Sequence, residues 1–205
     1  TGTRNIIMST NLTVGIVGYG FVGGAVSYGF NTPGVKQFIA DPKLGSSLDD
    51  IPNNVNVIFV CVPTPMNEDF SIDSSIVEKT VAELLEKTEH CPIVIKSTVT
   101  PDKLRKIRSL RVVYNPEFLT EKNANEDFIN PKMHVFGGDR GVTAQLEHIY
   151  DQYSLCRPCP IFHMTMTEAS LVKYGINSFL ATKVLWFNQF FDVVSYEDAN
   201  YNQVI

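Results

Sequence analysis

Long apolar runs are missing from this chain. None approaches the roughly 18 residues that span a bilayer, so no membrane partner is expected. Runs of lysine and arginine are missing too: 17 basic residues face 22 acidic ones, for a net charge of −5. Such a chain carries no electrostatic footprint for nucleic acid. Cysteine is scarce, with 4 among 205 residues. That is too few for a disulfide scaffold and fits a reducing cytoplasm. The opening TGTRNIIMSTN has neither a long apolar core nor a small-residue cleavage site. No secretory leader is therefore expected, and Met8 can be the natural start. Repeats and low-complexity linkers are also lacking. What remains is 44% hydrophobic residues and 19% charged ones, the balance of a globular chain with a real core.

One cysteine pair invites a metal reading. Cys156 and Cys159 form C-x-x-C, and His163 follows. A structural zinc site usually needs four ligands, and no fourth is placed nearby, so no metal is expected.

Short apolar runs alternate with amphipathic segments. LTVGIVG (Leu12 to Gly18), VKQFIAD (Val35 to Asp41) and VNVIFVCV (Val55 to Val62) read as strands, the third buried on both faces. Phe21 to Phe30 reads as a helix, and Ile72 to Leu85 as another, with Ile76, Val77, Val81, Leu84 and Leu85 at helical spacing. PIVIKST, LRVVYN, KMHVFGG and PIFHMT supply further strands, the last at an edge. PDKLRKIRS and Thr143 to Tyr153 supply helices, and a long helix contains SLVKYGINSFLATKVLWF. The expectation is an α/β, Rossmann-like, doubly wound and mainly parallel sheet, followed by a long C-terminal helix. Its functional loops should lie at the carboxyl ends of the strands. Three divisions follow: a tail at residues 1–11, a dinucleotide-binding domain at 12–164 and a long-helix region at 165–205.

The first strand leads into G-Y-G-F-V-G: Gly18, Tyr19, Gly20, Phe21, Val22 and Gly23. In that context Gly18 allows the tight turn, Gly20 admits a pyrophosphate and Gly23 permits close helix–strand packing. Asp41 ends the second strand about 20 residues on, where a carboxylate accepts from ribose hydroxyls and repels a 2′-phosphate. NAD is therefore expected rather than NADP. Thr64 in CVPTPM and Ser97 and Thr98 in KSTVTP follow the third and fourth strands and offer hydroxyls to the same crevice. Ordinary capping is the alternative, as for Thr100 before Pro101. Cys61 reads as a core residue.

YNPEFLTEKNANEDFINP follows the fifth strand. Glu117 and Glu121 are four apart, so on a helical turn they share a face and can divide acid and base roles. They can equally be solvated acids beside Lys122. On the long helix Lys173 and Asn177 stand at i and i+4, one above the other, able to donate to one oxygen. The alternative is a lysine snorkelling from a helix edge.

Taken together, GYGFVGG, Asp41, VPTP, KSTVTP, NPEFLTE and LVKYGINSFLATKV resemble the UDP-glucose 6-dehydrogenase family, within the wider UDP-glucose/GDP-mannose dehydrogenase group. The resemblance runs from about Leu12 to the end. It implies NAD held by residues 18–23, Asp41, Thr64, Ser97, Thr98 and Glu121. A nucleotide sugar, UDP-glucose by preference, would bind Glu117, Phe118, Leu119, Thr120, Glu121, Lys173 and Asn177. The family oxidises the sugar C6 alcohol to a carboxylate in two NAD-dependent steps through a cysteine thioester. By resemblance Thr98 would help position water, Glu117 would assist thioester hydrolysis, and Lys173 and Asn177 would stabilise the oxyanion at C6. A homodimer through the long helix is implied as well. Exposed Val184, Leu185, Trp186, Phe187, Phe190 and Phe191 would favour self-association.

One part of the pattern is missing. The family's nucleophile lies in a G-F-G-G-x-C segment after the long helix, and none of Cys61, Cys91, Cys156 and Cys159 occupies one. SYEDANYNQVI reads as a helix just beginning. The expectation is an N-terminal half, or a shortened relative, without the second nucleotide-binding domain: able to bind NAD, unable to complete the double oxidation. Two other readings stand beside it. One is a β-hydroxyacid-type dehydrogenase, which leaves VPTP and NPEFLTE unexplained. The other is a non-catalytic NAD-binding or dimerisation module.

Overall fold

The computed structural model describes residues 11–205. Met8 and, but for Asn11, the tail expected at residues 1–11 lie outside the described residues. Seven strands form one sheet: β1 (Leu12–Val17), β2 (Val35–Ala40), β3 (Val57–Val60), β4 (Ile93–Ile95), β5 (Val112–Tyr114), β6 (His134–Gly137) and β7 (Ile161–Met164). Their order is β2-β1-β3-β4-β5-β6-β7. Neighbours run parallel except β5 and β6. The helices are α1 (Phe21–Gly29), α2 (Ser75–Lys87), α3 (Pro101–Leu104), α4 (Ala124–Ile129), α5 (Arg140–Tyr153), α6 (Met166–Tyr196) and α7 (Tyr201–Val204).

Central strands β3, β4 and β5 are buried throughout, as expected of a sheet covered on both faces. The edge strands β2 and β7 are mostly half-exposed. Beneath α1, α4 and α5 lies an aromatic cluster. Phe30 meets Phe59 at 5.2 Å between centroids and Tyr150 at 5.3 Å. Edge-on and tilted pairs of this kind add about 1 kcal/mol each beyond burial.

Two compact units can be described, one running to Ser170 and the other Leu171–Ile205. In the second, α6 presents Phe179, Leu180, Val184, Leu185, Trp186 and Phe191 to solvent, while Phe187 and Phe190 are half-buried. Trp186 stacks on Phe190 at 4.9 Å, and the Tyr201 hydroxyl donates to the Phe187 carbonyl at 3.3 Å. Among the described residues no helix is long and apolar enough to cross a membrane.

Three local expectations are corrected. The helix expected from Ile72 begins at Ser75. Ile72 bridges Met66, and the Asp73 N–H donates to the Pro65 carbonyl, so these residues belong to the preceding turn. Glu117 and Glu121 do not share a helical turn. Glu117 lies in a loop, and Glu121 opens a 3-10 turn, Glu121–Asn123. The SYEDANYNQVI segment contains the end of α6 and the four-residue α7.

Candidate functional site

Strand order reverses beside β1: β2 lies on one side and β3 on the other, so a crevice opens at their carboxyl ends. A cavity of about 970 Å³ lies there. It runs from Asp41 and Lys43 past residues 17–22 to Cys61, Thr64, Lys96, Ser97, Thr98 and Glu117.

The glycine turn is forced by its surroundings. Gly18 has φ +87°, and a Cβ there would lie 2.7 Å from the Cys61 carbonyl oxygen. A Cβ on Gly23 would lie 1.9 Å from the Gly18 carbonyl oxygen. By contrast the space before Gly20 is open. Helix α1 starts here with no side-chain cap and no acidic residue in its first turn. Its leading N–H groups and positive dipole end therefore face the crevice, a setting that favours phosphate.

Asp41 fixes the β2 end. Its carboxylate accepts from the Tyr19 N–H at 2.6 Å and the Lys43 N–H at 2.8 Å. The Tyr19 N–H first, then that of Lys43, hold its carboxyl below the usual carboxylate range despite partial burial. Each oxygen keeps a further lone pair for a hydroxyl donor. Open space at Gly20, an uncapped helix start and an ionised acceptor at the β2 end together fit an NAD dinucleotide.

At the β3 and β4 ends, Thr64 and Thr98 are half-buried and line the cavity. Buried Ser97 donates its hydroxyl to the Val62 carbonyl at 2.6 Å, tying the V-P-T-P turn to β4. Cys61 is part of the core, and burial pushes its thiol up to about 12. It is protonated at neutral pH and a weak nucleophile.

After β5, Glu117 lines the cavity and accepts from the Leu119 N–H at 2.6 Å. Leu119 packs on the core. Thr120 is engaged elsewhere: its N–H and hydroxyl both donate to Asp127, at 2.8 and 2.6 Å. Phe118, Thr120 and Glu121 do not line this cavity. In the second unit, Lys173 and Asn177 both lie on α6, Lys173 buried and Asn177 exposed.

Two residues unmarked in the sequence reading belong to this region. Buried Lys96 lines the cavity, and its Nζ donates to Asn115 Oδ1 at 2.9 Å. The signal was present: a lysine ends the otherwise apolar run PIVIK. The C-x-x-C pair and His163 have other engagements. Cys156 Sγ donates to the Phe128 carbonyl, and His163 Nε2 lies 2.8 Å from Glu147. Among the described residues no group of three or more His, Cys, Asp or Glu is placed to hold a metal.

Comparison with known proteins agrees with this geometry. Residues 35–154 match the UDP-glucose/GDP-mannose dehydrogenase family, NAD binding domain. A UDP-glucose 6-dehydrogenase of Rickettsia bellii is 34% identical over 157 residues, covering 72% of this chain and 36% of that protein. One from Streptococcus pneumoniae is 28% identical, covering 76% of this chain and 43% of that protein. The chain thus spans less than half the length of the curated relatives it matches. In structure it resembles GDP-mannose dehydrogenase of Pseudomonas aeruginosa, with TM-score 0.79 and 23% identity over 93% of this chain and 55% of that one. UDP-glucose dehydrogenase of Pyrobaculum islandicum gives TM-score 0.79 and 24% identity, over 94% and 55%. These structural likenesses show the shared fold.

Proposed function

Because the chain belongs to the UDP-glucose/GDP-mannose dehydrogenase family and carries its NAD binding domain, we propose that it serves the oxidation of UDP-glucose to UDP-glucuronate. NAD, when bound, supplies the electron-pair acceptor for the alcohol. The chain's own residues do the rest. The glycine turn and the start of α1 hold phosphates, and Asp41 accepts from a ribose. Thr98 positions water, and Glu117 stands at the β5 end of the crevice. Lys173 and Asn177, one turn apart on α6, donate to the oxygen that becomes negative at C6. Preorganised donors of this kind contribute a few kcal/mol each. Further proposals are the division at 12–164 and 165–205, substrate contacts from residues 117–121, and pairing of two copies through α6.

The observation that carries this reading is the crevice itself, with Asp41 at one end and Thr98 and Glu117 at the other. UDP-glucose is preferred over GDP-mannose because the curated relatives include UDP-glucose 6-dehydrogenases. No cysteine here suits thioester formation: Cys61 and Cys91 are buried, and burial raises the thiols of Cys156 and Cys159. The test is calorimetry followed by absorbance. The chain is expected to bind NAD, with no sustained NADH formation when UDP-glucose is added. Turnover of a small hydroxyacid would overturn the reading in favour of the β-hydroxyacid class.

A further inference from the structure

Past the last paired residues of β3, β4 and β5, three side chains stand abreast. The register pairs Val60 with Ile95 and Ile95 with Tyr114, so Cys61, Lys96 and Asn115 come next in line. The ladder continues through them: Lys96 N–H donates to Val60 at 2.9 Å and Asn115 N–H to Ile95 at 2.9 Å. Two residues earlier on the same face are Phe59, Val94 and Val113, all core. The pattern calls for a third apolar residue on β4, and the chain places an amine there instead. Burying an ammonium is expensive unless hydrogen bonds and neighbouring charges compensate.

The surroundings hold this amine in place. Asn115 Oδ1 accepts from Lys96 Nζ and from the Tyr150 hydroxyl, each at 2.9 Å, while Asn115 Nδ2 donates to the Val135 carbonyl at 3.0 Å. The Phe128 ring lies 5.7 Å from Nζ, within cation–π range. Lys96 is one of the residues that line the cofactor crevice, at the end away from Asp41. With the adenosine ribose at Asp41 and the phosphates at the glycine turn, the nicotinamide end falls on this side.

We propose that Lys96 adds a fixed positive charge at the end of the crevice away from Asp41 and biases that end toward the reduced dinucleotide. The oxidised nicotinamide carries a positive charge and the reduced one is neutral, so a buried cation opposes the first and tolerates the second. Lys96 acts on the cofactor through its field and is a positioning residue. Glu117, on the same cavity wall, acts with opposite sign. The inference rests on the reading of this crevice as the NAD site.

Affinities of NAD+ and NADH, measured by calorimetry on the full chain, test it. The unaltered chain is expected to bind NADH more tightly. Lys96→Gln keeps a donor for Asn115 without the charge, and Lys96→Met removes both. Each should lower the NADH-over-NAD+ preference about tenfold, while Glu117→Gln should raise it. An equal loss for both dinucleotides in folded Lys96→Gln overturns the proposal. So does tighter binding of NAD+ than NADH by the unaltered chain, a result that needs no variant to fold. Failure to bind either dinucleotide removes the cofactor reading as well.

Discussion

The two ends of the crevice are built from different materials. At the β1–β2 end the backbone does the work: a glycine turn, the start of α1, and a carboxylate held by two N–H groups. At the β4–β5 end side chains do it: Lys96, Asn115 and Tyr150 form a buried polar chain, and Ser97 ties two loops together. The first arrangement depends on what is absent, namely Cβ atoms and capping groups. The second depends on every member being present, because a buried polar group without its partner costs more than the bond itself contributes.

The sharpest way to break this contrast is Gly23→Ala. The added methyl meets backbone rather than a movable side chain. Dinucleotide affinity should fall at least about a hundredfold and stability by about 3 kcal/mol, measured by calorimetry and denaturant unfolding. Next in size is Asn115→Ala, which deprives Lys96 Nζ, the Tyr150 hydroxyl and the Val135 carbonyl of their shared partner. A loss of about 3 kcal/mol is expected in denaturant unfolding.

A pH profile sharpens the side-chain end further. Burial first, and the charge of Lys96 second, lower His134 to about 4. The folded protein therefore keeps this ring neutral while the unfolded chain protonates it near its ordinary value. Stability from this group is complete above about pH 6.5 and is lost as pH falls toward 4, by about 3 kcal/mol. Unfolding measured across that window should show the slope, and His134→Phe should flatten it. The smallest effect is expected at Asp41→Asn, which keeps the shape and removes the charge. NAD affinity should drop about tenfold and discrimination against NADP should narrow.

The same contrast explains what the sequence made legible. The glycine turn and Asp41 were readable because their chemistry is local: residue type, spacing and a preceding strand suffice. Strand positions were readable from β-branched apolar runs. The Glu117–Glu121 pairing was not, because the loop makes its own hydrogen bonds: Glu117 to the Leu119 N–H and Thr120 to Asp127. Such side-chain bonds compete with helix formation and delay it to Glu121. The antiparallel entry of β6 pairs Tyr114 with Gly137, and the Lys96–Asn115–Tyr150 chain joins residues 19 and 35 positions apart, which spacing does not reveal.

The central claim is that this crevice holds NAD. Titrating NAD into the chain in a calorimeter tests it most directly. The account predicts one site per chain, weakened by Asp41→Asn and weakened further by Gly23→Ala. Equal binding by the unaltered chain and the folded Gly23→Ala variant, or no binding by the unaltered chain, would contradict it.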